Sequence, residues 1–332
     1  MEPVSPTANA GGAPAWADDV LAMPGSSTGL HCADGKLLDA DNRAVGTIEN
    51  GIVRVGTLPP DASIEYFHSI GGTHFFERSE VAYAMTALDT PVYHGHLEAN
   101  APADRNALIV DIGGGDGRNA FPWLGWGFRR VVVVDPVAAS LQRLRARLVA
   151  NHAEWLDRVL LIEADARRLP LRGGAADRIL AIEALCYLNE DYERGVAECK
   201  RVLAAAGRLL ISDRDHEGGM LARLLYYGGV QAMLDLKDSR DLVDGLGDSR
   251  VRSRCFTRTE LISAIESQGL KVVQTAGISA FSLVLGYLRS IGQLGDNAEG
   301  RVAEVHDLLD RLGRTGSLMR SHIVVAKHAD AP

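Results

Sequence analysis

The sequence predicts an α/β protein built on a doubly wound, mostly parallel sheet. Three observations carry that expectation. Continuous β-branched runs such as "VVVVD" (131–135) and "VLLIEAD" (159–165) alternate with amphipathic helical stretches, the pattern of strands covered on both faces. A burst of glycines in "LIVDIGGGDGRN" (108–119) directly follows one of those runs and precedes a helical stretch, marking a sharp bend or a close ligand approach. Finally, 332 residues that are 46% hydrophobic and 23% charged suffice for one large α/β domain or two smaller ones.

Along the chain, residues 1–30 are rich in Ala, Pro, Gly and Ser without the basic start and apolar centre of a signal peptide, and read as a flexible tail. Residues 31–60 alternate short apolar runs with Asp-Gly, Asp-Asn and Asn-Gly pairs, which signal hairpins. Residues 61–104 form a segment ahead of the core that holds "FHSIGGTHFFERS" and "YHGHLEAN". The core, 105–214, contains strand-like runs at 107–112, 131–135, 159–165, 178–188 and 208–214, with helices at 138–152 and 192–207 between them. Residues 215–255 read as an irregular insertion with Gly pairs and many charges. In 256–332, "TRTELISAIESQGL" reads as a helix capped by Thr257 or Thr259. A strand at 271–279, helical stretches at 281–293 and 297–312 and a last strand at 321–328 complete it.

Charge narrows the function classes. A formal net charge of −8 argues against a nucleic-acid partner, which calls for a basic face. No apolar run approaches the ~20 residues that span a bilayer, so no membrane partner is expected. Cys32, Cys186, Cys199 and Cys255 include no CxxC pair; neither a metal site nor a disulfide framework is indicated, and a reducing, cytoplasmic setting fits.

The glycines point to a ligand at a helix N-terminus, pressed against backbone N–H groups. A dinucleotide fingerprint fails, because its third glycine falls at Arg118; a Walker A loop fails for want of a Lys-Ser/Thr pair. What stands is Asp111, Gly113, Gly115 and Gly117 in a D-x-G-x-G-x-G pattern. A carboxylate two residues before the first glycine repels a pyrophosphate but suits an ammonium group.

These residues resemble the first motif of the class I S-adenosyl-L-methionine (SAM)-dependent methyltransferases, and further motifs follow in order. The resemblance implies SAM as cofactor. It places Asp135, at the end of the second strand, on the ribose hydroxyls, and Asp165 with the backbone of Ala166 at the adenine. Asp177 matches an acid at the start of the fourth strand, read here as a strand-start residue without ligand contact. "ECKRVLAAAGRLLIS" is similar to the family's turn before strand five, with Ala206 in place of a glycine. Residues 31–60 look like a degenerate zinc ribbon, keeping only His31 and Cys32 of four ligands. The fold implied is a Rossmann-like, seven-stranded sheet with its last strand antiparallel, an N-terminal cap over 61–104 and C-terminal helical insertions.

Three zones are candidates for the chemistry. After strand four, the resemblance sets Glu183, Cys186, Tyr187 and Asn189 opposite the sulfonium. Glu183 is read either as a cofactor or acceptor contact or as a paired structural acid, Tyr187 as ordering a substrate, and Cys186 as core. No "(D/N)PP(Y/F)" signature is present, which disfavours nucleic-acid bases and protein amides as acceptors. Upstream, Tyr66, Phe67, His68, His74, Phe75, Phe76, Tyr93, His94 and His96 make an aromatic and histidine-rich lid candidate. After strand five stand Asp213, Asp215 and His216. The expected catalytic residues are Tyr187, Glu183 and His216. The expected function is methyl transfer to the N or O of a small metabolite or natural-product intermediate, with a homodimer as one permitted assembly. The alternatives are a SAM-consuming cyclase or lyase that releases methylthioadenosine, as in azetidine-2-carboxylate formation, and a non-catalytic SAM-binding protein.

Overall fold

The computed structural model describes residues 12–70, 82–246, 249–294, 301–316 and 318–330. In chain order its strands are β1 (His31–Ala33), β2 (Lys36–Leu38), β3 (Ala44–Glu49), β4 (Ile52–Val55), β5 (Leu108–Ile112), β6 (Arg130–Asp135), β7 (Val159–Glu163), β8 (Ala176–Ile182), β9 (Leu203–Arg214), β10 (Asp241–Leu246), β11 (Ser249–Arg254), β12 (Leu270–Ser279) and β13 (Met319–His328). The hydrogen-bonded order is β1-β2-β3-β4-β7-β6-β5-β8-β9-β13-β12, with β10-β11 a separate hairpin. The sheet therefore has eleven strands rather than seven. The additional strands are β1 to β4: β4 runs parallel beside β7 with Ile52 opposite Leu161, and its Ile52 and Val53 are buried. Residues 31–60 extend the sheet instead of standing apart as a ribbon-like module. Their turns use the Asp-Gly and Asn-Gly pairs: Asp34, Gly35, Asn50 and Gly51 all have positive φ, as two-residue hairpins require.

Residue contacts divide the chain into two compact units: one takes in the residues up to Pro60, Pro102–Leu180 and Glu198–Gly207, the other Asp61–Ala101, Ala181–Ala197 and the chain from Arg208. In the first, β5, β6 and β7 are parallel neighbours, Asp111 lying opposite Val133 and Val131 opposite Val159. Their apolar residues are buried throughout, and helix Ala138–Asn151 covers them with the buried face Leu141, Leu144 and Leu148, a helical spacing. Leu169 and Leu171 are fixed by a buried clamp: the Leu169 N–H donates to Glu198 Oε1 at 2.7 Å, and Arg201 donates to the carbonyls of Leu171 and Leu169 at 2.9 and 3.0 Å.

The segment read as a flexible tail is built into this unit from residue 12 onward. A short helix, Ala17–Val20, is anchored by Trp16, whose Nε1 donates to the Asp157 carbonyl at 2.9 Å. Leu21 bridges to Leu171, while Ala17, Leu21 and Ala22 are fully buried. The small residues of "PAWADDVLAM" give a disorder-like composition, but Trp16, Val20 and Leu21 supply an apolar face.

In the second unit, β13 lies between β9 and β12 and is antiparallel to both, as expected of the last strand. The insertion 215–255 is more regular than its composition suggests: it folds as helices His216–Tyr226 and Gly229–Leu236 and the hairpin β10/β11. Helix Arg258–Glu266 starts at a capping box in which Thr257 Oγ1 accepts from the Glu260 N–H and Glu260 Oε2 from the Thr257 N–H; Thr259 lies inside the helix. Upstream, helix Ala62–Ser69 is followed by a π-helical stretch, Ala84–Asp89, that runs into helix Thr90–Ala99. Helices Phe281–Ser290 and Val302–Thr315 precede β13. His74, Phe75 and Phe76 lie outside the described residues.

Truncation tests the first-unit correction. A chain that begins at residue 31 loses the buried Val20 and Leu21, each worth about 1.5–3 kcal/mol of burial, and exposes their partners. Its unfolding midpoint in urea is expected to fall well below that of a chain beginning at residue 12. Equal midpoints would restore the flexible-tail reading.

Candidate functional site

β5 carries Asp111 into the first unit one residue before the strand ends. The carboxylate is fully buried; no well-aligned hydrogen bond reaches either oxygen, the Asn119 side chain being the donor that comes near it. Burial pushes its pKa up to about 7, although nearby Asn119 and Arg118 pull the other way. An isolated carboxylate in this setting is costly unless a cation or donor reaches it.

The glycines that follow answer separate steric demands. A Cβ at Gly114 would lie 2.6 Å from Val133 Cγ1 and 2.9 Å from Asp111 Oδ2, so the backbone turns directly over the carboxylate. Gly117 has φ +97°, and a Cβ there would meet Leu144 Cδ1 at 2.5 Å. The Gly113 N–H donates to the Val134 carbonyl at 2.8 Å, tying the turn to β6. The Gly115 N–H donates to Asp135 Oδ2 at 2.8 Å. Gly114 was absent from the sequence-derived set, though it stands inside the same motif.

Asp135 ends β6 and is buried, with its second oxygen accepting from the Val137 N–H at 2.8 Å. Burial raises its pKa to about 6 against the two backbone donors. Each oxygen keeps a lone pair for a hydroxyl donor. Asp111, Gly113, Gly115, Gly117 and Asp135 are thus brought together around one turn. Asp165 is differently placed: its carboxylate is held by Arg167, whose Nε lies 2.9 Å from both oxygens, and by the Arg167 N–H at 2.8 Å. Any adenine contact there shares an acid already in use, beside Ala166 in the following turn. Asp177 Oδ2 accepts from the Leu108 N–H at 2.8 Å, the strand-start role expected of it.

In the second unit, Glu183 follows β8 in the left-handed region, φ 54°. Its Oε1 accepts from Arg320 Nη1 at 2.6 Å, Ser321 Oγ at 2.7 Å and Tyr93 Oη at 3.0 Å, and Arg320 also reaches Asp89 at 3.1 Å. All five residues are buried. Of the two readings of Glu183, the geometry matches the paired acid, because its carboxylate is saturated by donors. His216 is similarly taken up: its Nε2 lies 2.8 Å from the Leu236 carbonyl, with Arg240 Nη1 3.3 Å from each ring nitrogen. Tyr187 accepts from Arg214 Nη2 at 2.8 Å and meets Phe67 edge-on at 5.0 Å. Cys186 is buried core, its N–H donating to Asp213.

The upstream cluster disperses. Tyr66 and Phe67 stay together, Tyr93 joins Glu183, and His96 is buried 3.5 Å from Asp310, burial lowering its pKa. Among the described residues, no group of His, Cys, Asp or Glu is arranged to hold a metal ion, and no helix is long and apolar enough to cross a membrane. Sequence reasoning missed Arg320. Its only signal is polarity in the middle of an apolar final strand, "LMRSHIVVAKH".

The donor set fits SAM by its chemistry: a bare buried carboxylate for an ammonium group, a second carboxylate with free lone pairs for ribose hydroxyls, and a turn that carries no side chains between them. The raised Asp111 pKa also has a stability consequence with a definite sign. A buried acid titrating near 7 rather than near 3.9 costs nothing while protonated, and its cost grows as pH rises from about 4 through 7. Without ligand, Asp111→Asn is therefore expected to stabilise the protein more at pH 8 than at pH 5, by more than about 1 kcal/mol in urea unfolding. A pH-independent difference would remove the desolvated-acid assignment.

Comparison with known proteins agrees with this geometry. Residues 110–211 match the family model of a methyltransferase domain. A 114-residue stretch is 33% identical to the chloroplastic 2-methyl-6-phytyl-1,4-hydroquinone methyltransferase of Spinacia oleracea, covering 32% of this chain and 30% of that protein. The chain thus spans under a third of the length of that relative. The fold is similar to a putative S-adenosylmethionine-dependent methyltransferase from Listeria monocytogenes, with TM-score 0.51 and 12% identity over 73% of this chain and 98% of that one. It is also similar to the PH0226 protein of Pyrococcus horikoshii, with TM-score 0.51 and 14% identity over 80% and 98%. Taken with the carboxylates and glycines of β5 and β6, these matches show that the chain carries a class I SAM-dependent methyltransferase domain whose cofactor is S-adenosyl-L-methionine.

Proposed function

We propose that the protein transfers a methyl group to an oxygen or nitrogen of a small metabolite or natural-product intermediate. The observation that carries this reading is the pair of buried carboxylates, Asp111 and Asp135, on adjacent parallel strands either side of a turn stripped of side chains. SAM supplies an electrophilic methyl group on sulfur. Asp111 receives the cofactor's ammonium group, which replaces the water the carboxylate lost on burial. Asp135 accepts from the ribose hydroxyls while keeping its two backbone donors. Asp165 and the Ala166 backbone take the adenine edge, with Asp165 shared between it and Arg167.

Tyr187 orders the substrate, its ring packed on Phe67 and its hydroxyl oriented by Arg214. Glu183 and His216 are assigned to packing, because both are already engaged by protein partners. A small acceptor, a cytoplasmic setting and independence from nucleic acid accord with the acidic chain. The similarity to an enzyme whose name specifies a hydroquinone supports a small-molecule acceptor.

Two measurements test this. Asp135→Asn should weaken SAM binding about tenfold or more in calorimetry, as loss of charge-assisted hydrogen bonds worth ~1.5–3 kcal/mol requires, with the unfolding midpoint checked alongside. Unchanged affinity would remove Asp135 from the site. Purified protein with SAM alone should show no turnover above spontaneous breakdown, and a metabolite extract should elicit S-adenosylhomocysteine. Catalytic release of methylthioadenosine from SAM alone would instead establish the cyclase or lyase reading.

A further inference from the structure

Asp116 stands inside the glycine turn, between Gly115 and Gly117, and the proposed function gives it no part. A carboxylate there opposes the site's own acid. The Gly115 N–H donates to Asp135 Oδ2 at 2.8 Å, so a second negative charge sits one residue along the turn from that contact. Burial first, and the Asp116 charge after it, raise the Asp135 pKa to about 6 against the Val137 and Gly115 N–H groups and Arg143. The ribose hydroxyls are held best by an ionised acid, so the Asp116 charge needs a counterweight.

Arg147, on helix Ala138–Asn151, supplies one. Its Nη1 donates to the Asp116 carbonyl at 3.0 Å and lies 3.6 Å from Asp116 Oδ2. The guanidinium also lies over the Phe121 ring, with Cζ 4.5 Å from the centroid, a cation–π geometry. Phe121 belongs to the wall of the turn: a Cβ at Gly117 would meet its Cδ2 at 3.0 Å, and its N–H donates to the Gly117 carbonyl at 3.1 Å. Phe121 packs in turn against His152 and Trp155, at 5.7 and 6.2 Å between ring centroids, and those two rings stack on each other at 4.0 Å. An exposed ion pair alone contributes little, and Arg147 is 46% exposed. What sets this contact apart is that one guanidinium joins a backbone carbonyl, a carboxylate and an aromatic face. All of these residues lie in the first unit.

We propose that Arg147 is a positioning residue for the cofactor: it braces the Asp116–Gly117 part of the turn and offsets the Asp116 charge beside Asp135, so that Asp135 meets the ribose hydroxyls as an anion. The inference rests on the Asp135–ribose reading. Arg147 acts through Asp116 and Asp135 and need not touch SAM. The charged groups around Asp135 are Asp111 on β5, Asp116 and Arg118 in the turn, Arg143 and Arg147 on the helix, and Glu163, opposite it on β7. Arg143 remains when Arg147 is removed, so the effect is a shift and not a collapse. Its sign is fixed. Ribose binding is lost as pH falls through the Asp135 pKa, and an Asp116 charge left without Arg147 moves that loss to higher pH.

The test is calorimetric titration of the full-length protein with SAM and with methylthioadenosine, between about pH 5 and 8. Methylthioadenosine keeps the ribose and adenine but has no ammonium group, so its pH profile reports on Asp135 and not on Asp111. Arg147→Met should weaken both ligands about three- to tenfold at pH 7 and move the acidic fall in methylthioadenosine affinity up by about half a pH unit. Arg147→Lys keeps the charge and should leave that fall in its wild-type place. Asp116→Asn in the Arg147→Met background should return it there, a rescue that a mere loss of packing does not produce. An Arg147→Met variant with wild-type affinity and profile would overturn the proposal. So would an affinity loss with an unshifted profile, or a shift that Asp116→Asn fails to reverse. Wild-type protein that does not bind methylthioadenosine, or an Asp135→Asn variant that binds it equally well, would refute the ribose reading itself and this inference with it.

Discussion

A buried carboxylate with no well-aligned donor is the constraint on which the first unit depends. Asp111 is placed by a strand that must be apolar to sit inside the sheet, and the next residues must be glycine for the chain to fold over it. A side chain at Gly114 collides with the carboxylate and with Val133, so the acid and the turn over it are packed as one unit. The energy withheld from folding by desolvating Asp111 becomes available to a cationic ligand. Asp135 sets the contrast, since two backbone N–H groups already stabilise its charge and only spare lone pairs remain.

The second unit handles its buried charge in the opposite way. Glu183 sits in a strained, left-handed conformation of the kind concentrated at functional sites, yet its carboxylate is closed off by Arg320, Ser321 and Tyr93. A saturated acid of this sort rigidifies its surroundings and has no capacity left for substrate. Arg320 pins β13 to the segment after β8 and, through Asp89, to the start of helix Thr90–Ala99.

What the sequence made legible was local. The glycine motif, the acids near the ends of β5 and β6, the Asp-Gly and Asn-Gly turns and the Thr257 cap each rest on residues a few positions apart, and physical rules connect them directly. Most of the differences turn on distant partners. Residues 12–30 look disordered until Leu21 meets Leu171; β4 becomes part of the main sheet only because β7 offers it an edge. Glu183 and His216 carry the right chemistry for catalysis, but Arg320, 137 residues on, and the Leu236 carbonyl claim them.

The central claim is that Asp111 is a desolvated, partly protonated acid that becomes an anion when the cofactor's ammonium group arrives. Calorimetric titration with SAM at pH 6.5, repeated in buffers of different ionisation enthalpy, counts the protons exchanged on binding. With Asp111 titrating near 7 and Asp135 near 6, binding should release roughly half a proton to one proton, and the release should vanish at pH 8.5. Tight binding with no proton exchange at pH 6.5, or with net proton uptake, would contradict the account.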